Sequence, residues 1–311
     1  MRIVVFGTGG VGGYFGGRLA QSGEDVIFIA RGEHLRAIRE SGLRVDSVKG
    51  DFVVHHAKAT DDLARVGTAD VALVGVKAWQ VPEAAQAMRP IVGPDTCVVP
   101  LENGVEAPIE LAAVLGDGNV LGGLCQIGSF IAGPGHIRHT AIDPYVAFGE
   151  LDNRPSERAE RLRRAFARCP GVTVEIPPDI RAAMWRKFVF IAAISGVGAL
   201  CRVPVGAMRS VPQTRQLLEE AMREALAVAS ALGVALPEDT LEKTMAFIDN
   251  MQPEATASMQ RDIMAGRSSE LEAQNGAVVR LGREAGVPTP VHNFIYGLLL
   301  PMEMKARGQV E

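Results

Sequence analysis

An α/β fold, with a parallel sheet in the first part of the chain and helices alone in the second, is what this sequence predicts. Three observations carry that expectation. Residues 2–6 (RIVVF) form a short apolar, β-branched run that ends in Gly7-Thr8-Gly9-Gly10-Val11-Gly12, a G-x-G-x-x-G. A helical pattern through Ala20 and a second apolar run over 25–30 (DVIFIA) complete a strand, glycine turn, helix and strand. That is the dinucleotide-binding βαβ unit. Finally, strand patterns recur as far as residue 176, and only helical patterns follow Pro177-Pro178. The expected architecture is a Rossmann-type dinucleotide-binding domain over 1–177 and an all-helical domain over 178–311.

The glycines have separate physical tasks. One permits the tight turn, one lets the backbone approach a pyrophosphate, and one lets helix and strand pack closely. The phosphates then meet unpaired N–H groups at the positive end of the helix. A glycine-rich turn without a ligand is the alternative for the motif in isolation.

At 311 residues the chain can hold two domains with sizeable cores. Its 47% hydrophobic and 22% charged content is that of an ordinary globular protein. A net charge of -4 gives no reason to expect nucleic acid or an anionic membrane as partner. The first strand begins at residue 2, so no signal peptide is expected, and the longest apolar run, from Phe188, falls short of the ~20 residues that span a bilayer. Cys97, Cys125, Cys169 and Cys201 lack any C-x-x-C or metal spacing, and read as reduced, buried thiols of a cytoplasmic protein.

Arg31 follows the second strand where such folds select their cofactor. An acid there would bind the ribose 2′-hydroxyl of NAD, whereas a guanidinium suits the 2′-phosphate of NADP(H). NADP(H) is therefore the expected cofactor, an ordinary solvated arginine being the other reading. A helix is expected over 33–41, and a small β excursion over 43–45 and 51–55. Strands follow over 70–76 and 96–100. Lys77 and Asn103 lie just beyond the ends of these last two, where parallel sheets place ligands. A solvated lysine and an Asn-Gly turn would account for them equally well. A helix over 108–115, a strand meander over 120–149, a charged helix over 154–168 and a strand over 172–176 close the domain. His136 and His139, with no acidic partner at a metal-binding spacing, read as exposed or hairpin residues.

The second domain opens with a helix over 181–200 carrying Arg186-Lys187 before the apolar run FVFIAAISGVGAL. So apolar a helix is buried, which leaves Lys187 either snorkelling to water or facing a cleft. Ser269 and Glu272 have capping-box spacing. A helix starting there, ending at Gly286, would carry Glu270 in its first turn, a position the helix dipole favours.

Taken together, GTGGVGGYFGGRLAQSG, VKAWQV, the ENG turn, GPGHIRHT, the lysine opening the second domain, and SMQRD with GRSSELEAQNG resemble ketopantoate reductases in order and spacing. The resemblance runs from the first strand to about Pro290. It implies NADPH-dependent reduction of a 2-oxo acid to a 2-hydroxy acid, ketopantoate to pantoate in pantothenate synthesis. The loop Gly7, Thr8, Gly9, Gly10, Val11 and Gly12 would hold the pyrophosphate, and Arg31 the 2′-phosphate. Lys77 and Asn103 would line the cofactor side of the cleft, Asn103 also near substrate. Lys187 matches the lysine that protonates the carbonyl oxygen, Glu270 the glutamate that holds that lysine and the substrate hydroxyl, and Ser258 the serine that meets the substrate carboxylate. A cation at that oxygen stabilises the developing alkoxide.

One departure bears on substrate. Four and eight residues after the lysine the family usually carries asparagines that face the substrate; here they are Ile191 and Ser195. Ile191 makes that wall apolar and Ser195 keeps a shorter polar group, so a branched 2-oxo acid other than ketopantoate is an alternative. Further alternatives are a dehydrogenase of the hydroxyisobutyrate or opine kind, and a non-catalytic NADP sensor. The apolar second domain permits a homodimer without requiring one.

Overall fold

The computed structural model describes residues 1–310, which divide into two compact units. The first comprises Met1–Glu102 and Ala107–Ile180; the second comprises Asn103–Glu106 and the chain from Arg181 onward.

Along the first unit run β1 (Arg2–Phe6), α1 (Gly10–Gln21), β2 (Asp25–Ile29), α2 (Gly32–Ser41), β3 (Leu43–Ser47), β4 (Phe52–Val54), β5 (Lys58–Thr60), β6 (Val71–Val74), α3 (Val81–Met88), β7 (Cys97–Pro100), α4 (Ala107–Leu115), β8 (Leu121–Gly133), β9 (His136–Glu150), α5 (Glu157–Ala167) and β10 (Thr173–Glu175). One sheet has the order β5-β2-β1-β6-β7 with every neighbouring pair parallel. β1 shows why its sequence is apolar throughout. Ile3 and Val5 join a core with Phe15, Leu19 and Phe28, while Val4 and Phe6 join another with Ile29, Met88 and Ile91. Alternate residues serve opposite faces, and both faces are covered. The strand order reverses direction at β1, so the C-terminal ends of β1 and β6 border the topological switch point.

A second sheet runs β10-β9-β3-β4, with β8 antiparallel on β9 through an irregular register. It contains the expected β excursion, as the antiparallel pair β3–β4. The three-residue β5 was not expected, because Lys58-Ala59-Thr60 carries no apolar run and pairs only along one side, with β2. Both histidines lie on the β8–β9 hairpin, and neither is exposed. His139 is buried, its Nδ1 2.8 Å from the Ser47 hydroxyl and its Nε2 2.9 Å from the Ile142 carbonyl oxygen. His136 does have an acidic neighbour, since its Nε2 lies 2.8 Å from Asp46 Oδ2 on the paired strand β3. Alternation along one strand cannot reveal a partner that the neighbouring strand supplies.

The first unit ends at Ile180 rather than Pro177. Ile180 packs so closely on β8 that a Cβ on Gly122 would lie 2.7 Å from its side chain, and its N–H donates to Asn153 Oδ1 at 3.0 Å.

The second unit is helical: α6 (Ile180–Cys201), α7 (Val205–Ser210), α8 (Pro212–Ala231), α9 (Thr240–Asn250), α10 (Ser258–Met264), α11 (Ala277–Ala285) and α12 (Pro290–Ala306). α6 is the one described helix long and apolar enough by composition to cross a bilayer, more than the apolar run alone suggested, and 67% of its most apolar stretch is buried within the protein. α8 is in contact with α7, α9, α11 and α12. Glu224 on α8 accepts the N–H groups of Val291 and His292 at 2.7 and 2.9 Å, capping the start of α12. His292 is fully buried; its Nε2 donates to Ala221 O at 2.9 Å, and its Nδ1 accepts from Asn275 Nδ2 at 3.0 Å. Burial pushes the His292 imidazole down to about 4. α11 closes, as expected, at Gly286 in the left-handed conformation.

Candidate active site

In the first unit the site is a backbone cradle. Gly7 follows β1 with a φ of +98°, where a side chain would be strained. A Cβ on Gly12 would lie 2.1 Å from the Gly7 carbonyl oxygen, and one on Gly10 would lie 2.6 Å from Ser129 O. α1 therefore starts as close to β1 as backbones permit. No side chain caps it at Gly9, and Gly9, Gly10 and Val11 are half-exposed. The N–H groups of this first turn lack intrahelical partners and suit an anion. Thr8 is different from its neighbours: its hydroxyl and its N–H both donate to Ile29 O, at 2.9 and 3.2 Å.

His34 completes this cradle and had no sequence signature. Its Nδ1 accepts the Gly135 N–H at 3.0 Å, so Nε2 carries the proton and donates to Thr8 O at 2.8 Å. Burial holds the ring below the usual histidine range, which keeps it neutral for both bonds. The glycine loop is thereby tied to the turn between β8 and β9. Arg31 is 74% exposed at the start of α2, with its guanidinium 3.8 Å from an equally exposed Glu83. Lys77 is half-buried just past β6, with Nζ 5.8 Å from the centre of the Trp79 ring.

In the second unit the site centres on Glu270, which is 5% exposed. Its Oε2 accepts from Asn103 Nδ2 at 3.1 Å and from Gln274 Nε2 at 3.4 Å. Asn103 belongs to the short excursion 103–106, which is held against the residues after Glu270. A Cβ on Gly104 would lie 3.2 Å from Ala273 O, and Glu106 takes a two-pronged contact from Arg280 at 2.7 and 3.3 Å.

The helix expected to start at Ser269 does not form as a capping box. Glu303 takes the Ser269 N–H, and Glu272 instead accepts from Tyr296 OH at 2.7 Å and from Arg280. Residues Glu272–Gly276 form a π-helical turn before α11 begins. Such turns arise where side chains must be re-aimed, frequently at functional sites. Here it directs Asn275 onto α6, where its Nδ2 donates to Ala192 O at 3.1 Å.

Lys187 lies five residues before Ala192 on α6, a rise of about 7.5 Å, and is half-buried. Among the described residues no ion pair within 4.0 Å joins it to Glu270. Ile191, one turn further, is also half-buried. Ser195 is fully enclosed, with no hydrogen-bond partner for its hydroxyl. Ser258 is half-buried in the first turn of α10. Asn103 and Glu270 are thus in direct contact, whereas Lys187, Ser195 and Ser258 make no contact with Glu270 that the structure records.

The parallel sheet with its glycine cradle defines a dinucleotide-binding protein, and the helical unit adds a buried carboxylate. Comparison with known proteins then specifies which. The sequence model described as "Ketopantoate reductase PanE/ApbA" matches residues 3–153, and its C-terminal companion matches 179–303. The chain belongs to the ketopantoate reductase family, NAD(P)-dependent enzymes that act on CH–OH groups. It is 30% identical to a 2-dehydropantoate 2-reductase of Archaeoglobus fulgidus, over 97% of this chain and 98% of that protein. It is 29% identical to the uncharacterized oxidoreductase YkpB of Bacillus subtilis, over 96% and 98%. A crystal structure of a PanE/ApbA family ketopantoate reductase from Ralstonia eutropha superposes with a TM-score of 0.89 at 32% identity, covering 99% of this chain and all of that one.

Proposed function

We propose that this protein reduces ketopantoate to pantoate with NADPH, as a step of pantothenate synthesis in the cytoplasm. Family membership supports the reaction class, and the buried carboxylate of Glu270, held by Asn103 at 3.1 Å, is the observation that carries the assignment to this chain. Four free cysteines, three of them buried, agree with a reducing compartment.

The glycine cradle fits a dinucleotide, being a close backbone approach with open N–H groups at a helix start. Gly7, Gly9, Gly10, Val11 and Gly12 would hold the pyrophosphate, and Arg31 would meet the 2′-phosphate. NADPH, when bound there, would supply the hydride. Lys187 then stabilises the charge developing on the substrate carbonyl oxygen and gives it a proton. Glu270 fixes the substrate hydroxyl, while Ser258 takes the substrate carboxylate.

Loss of NADPH absorbance on adding ketopantoate tests the assignment directly. The wild-type protein turns over, and Lys187→Ala loses about 10²–10⁴-fold in kcat with the Kd for NADPH unchanged. Binding of NADPH without turnover of any 2-oxo acid would leave a sensor instead.

A second reading rests on Ile191. A half-buried isoleucine stands where the family usually has an asparagine, which favours a branched 2-oxo acid without the hydroxyl of ketopantoate. A site built to bind a hydroxyl rejects an analogue lacking it by about 10⁴-fold, whereas an apolar wall discriminates far less. The ratio of kcat/KM for ketopantoate to that for its deoxy analogue decides between them.

A further inference from the structure

Ser269, the residue just before Glu270, is held through every polar group it has. Its N–H donates to both carboxylate oxygens of Glu303, at 3.0 and 2.9 Å, and its hydroxyl donates to Glu303 Oε2 at 2.5 Å. Its carbonyl oxygen accepts from Arg307 Nη2 at 3.1 Å. Glu303 and Arg307 are themselves joined, Nε to Oε1 at 2.6 Å. Both lie at the far end of the chain, on or just after α12, more than thirty residues from the serine they hold. Ser269 is fully enclosed and Glu303 is 4% exposed, so water does not compete for these bonds.

This is more than a helix cap. The backbone between Ser269 and the π-helical turn is irregular, and regular hydrogen bonding resumes only with Gln274 N to Glu270 O at 3.0 Å and Gly276 N to Leu271 O at 2.9 Å. The first of these bonds ends on the Glu270 carbonyl itself, so no helix defines the peptide that precedes Glu270. We propose that Glu303, with Arg307, is a positioning residue of the reaction: it sets the carboxylate of Glu270 by fixing the peptide that precedes it. Buried charge-assisted bonds to both N–H and O–H of one residue define its place tightly, and a misplacement of about 1 Å at a reacting group costs on the order of 10²-fold in rate. The proposal rests on Glu270 acting in catalysis as set out above.

A double-mutant cycle tests it, with amide hydrogen exchange as a readout independent of turnover. Glu303→Gln is expected to lower kcat by roughly 10- to 100-fold while the KM for NADPH stays within about twofold. In a Glu270→Gln background the same change is expected to cost less than about threefold, because the group it positions is already lost. The amide of Ser269, and that of Leu271, which donates to Ser269 Oγ at 3.2 Å, are expected to exchange faster in Glu303→Gln, with those of α8 unchanged. Losses that multiply, a kcat within twofold of wild type, or unchanged exchange at Ser269 would each overturn the proposal. Full activity in Glu270→Gln would instead remove Glu270 from the mechanism, and the exchange result would still show whether the clamp holds. Where Glu303→Gln fails to fold, Arg307→Ala, at a side chain about one-quarter exposed, probes the same strap. It is expected to reproduce the exchange change and the non-additivity in smaller measure, and their absence would count against the proposal.

Discussion

Asn103 and Glu270, 167 residues apart in the chain, are joined by a 3.1 Å hydrogen bond from the amide of the first to the carboxylate of the second. The bond fixes two side chains that the sequence singled out for different reasons, one as a residue beyond a strand end and one as the first-turn acid of a helix. A hydrogen bond to a charged group is worth about 1.5–3 kcal/mol, or tenfold to a hundredfold. Asn103→Ala is therefore expected to lower kcat/KM for the 2-oxo acid by that factor. Asn103→Asp should lower it further, because it sets a second carboxylate beside the first. Steady-state kinetics on both variants checks this.

In the proposed reading, cofactor choice rests on Arg31. Its contact with Glu83 is long and both side chains are three-quarters exposed, so the pair holds the guanidinium only weakly and leaves it able to reach a phosphate. Arg31→Ala is expected to raise the KM for NADPH about tenfold to a hundredfold and to leave that for NADH unchanged. A preference for NADPH that survives the substitution would place selection elsewhere.

Close packing at the cradle makes a third prediction. Gly12→Ala puts a methyl group 2.1 Å from the Gly7 carbonyl oxygen, so α1 must move away from β1. Overpacking of this kind costs about 1–3 kcal/mol, and the cradle loses its shape. The expected result is a lower urea midpoint together with a weakened Kd for NADPH. Gly118→Ala, where nothing lies within 4 Å, is the control and should change neither.

His292 gives the second unit a pH dependence of known sign. Its folded value, about 4, lies below the unfolded histidine value of 6.5, so below pH 6.5 the unfolded chain binds a proton that the folded one refuses. Stability is complete above pH 6.5 and falls as the pH drops toward 4, by about 3 kcal/mol in all. Glu224, raised by burial beside the same helix start, acts in the opposite direction. Urea denaturation at pH 7 and 4.5 should therefore show a steeper loss for wild type than for His292→Gln. In the wild type the ring proton resonances should titrate near 4.

Legibility from sequence followed the range of the forces involved. β1 and the glycine turn were readable because a continuous apolar run and a tight turn are local properties. β5 was not, since three residues on an edge need no apolar pattern. Likewise nothing near His34 announces that its ring joins Thr8 to Gly135, for that bond depends on a turn about a hundred residues away. The Ser269–Glu272 spacing suggested a capping box. The actual bonds go to Glu303, Tyr296 and Arg280, which a local rule cannot weigh. The site's residue types were legible, but not the means by which they are aimed.

The four residues Asn103–Glu106 sit in the second unit while their flanks belong to the first. A gene cut after codon 180 would thus yield a carboxy-terminal fragment missing the amide that grips Glu270 and the acid that grips Arg280. Neither half is a self-sufficient module for grafting. Engineers exchanging substrate specificity between relatives would have to transplant this tetrapeptide along with the helices.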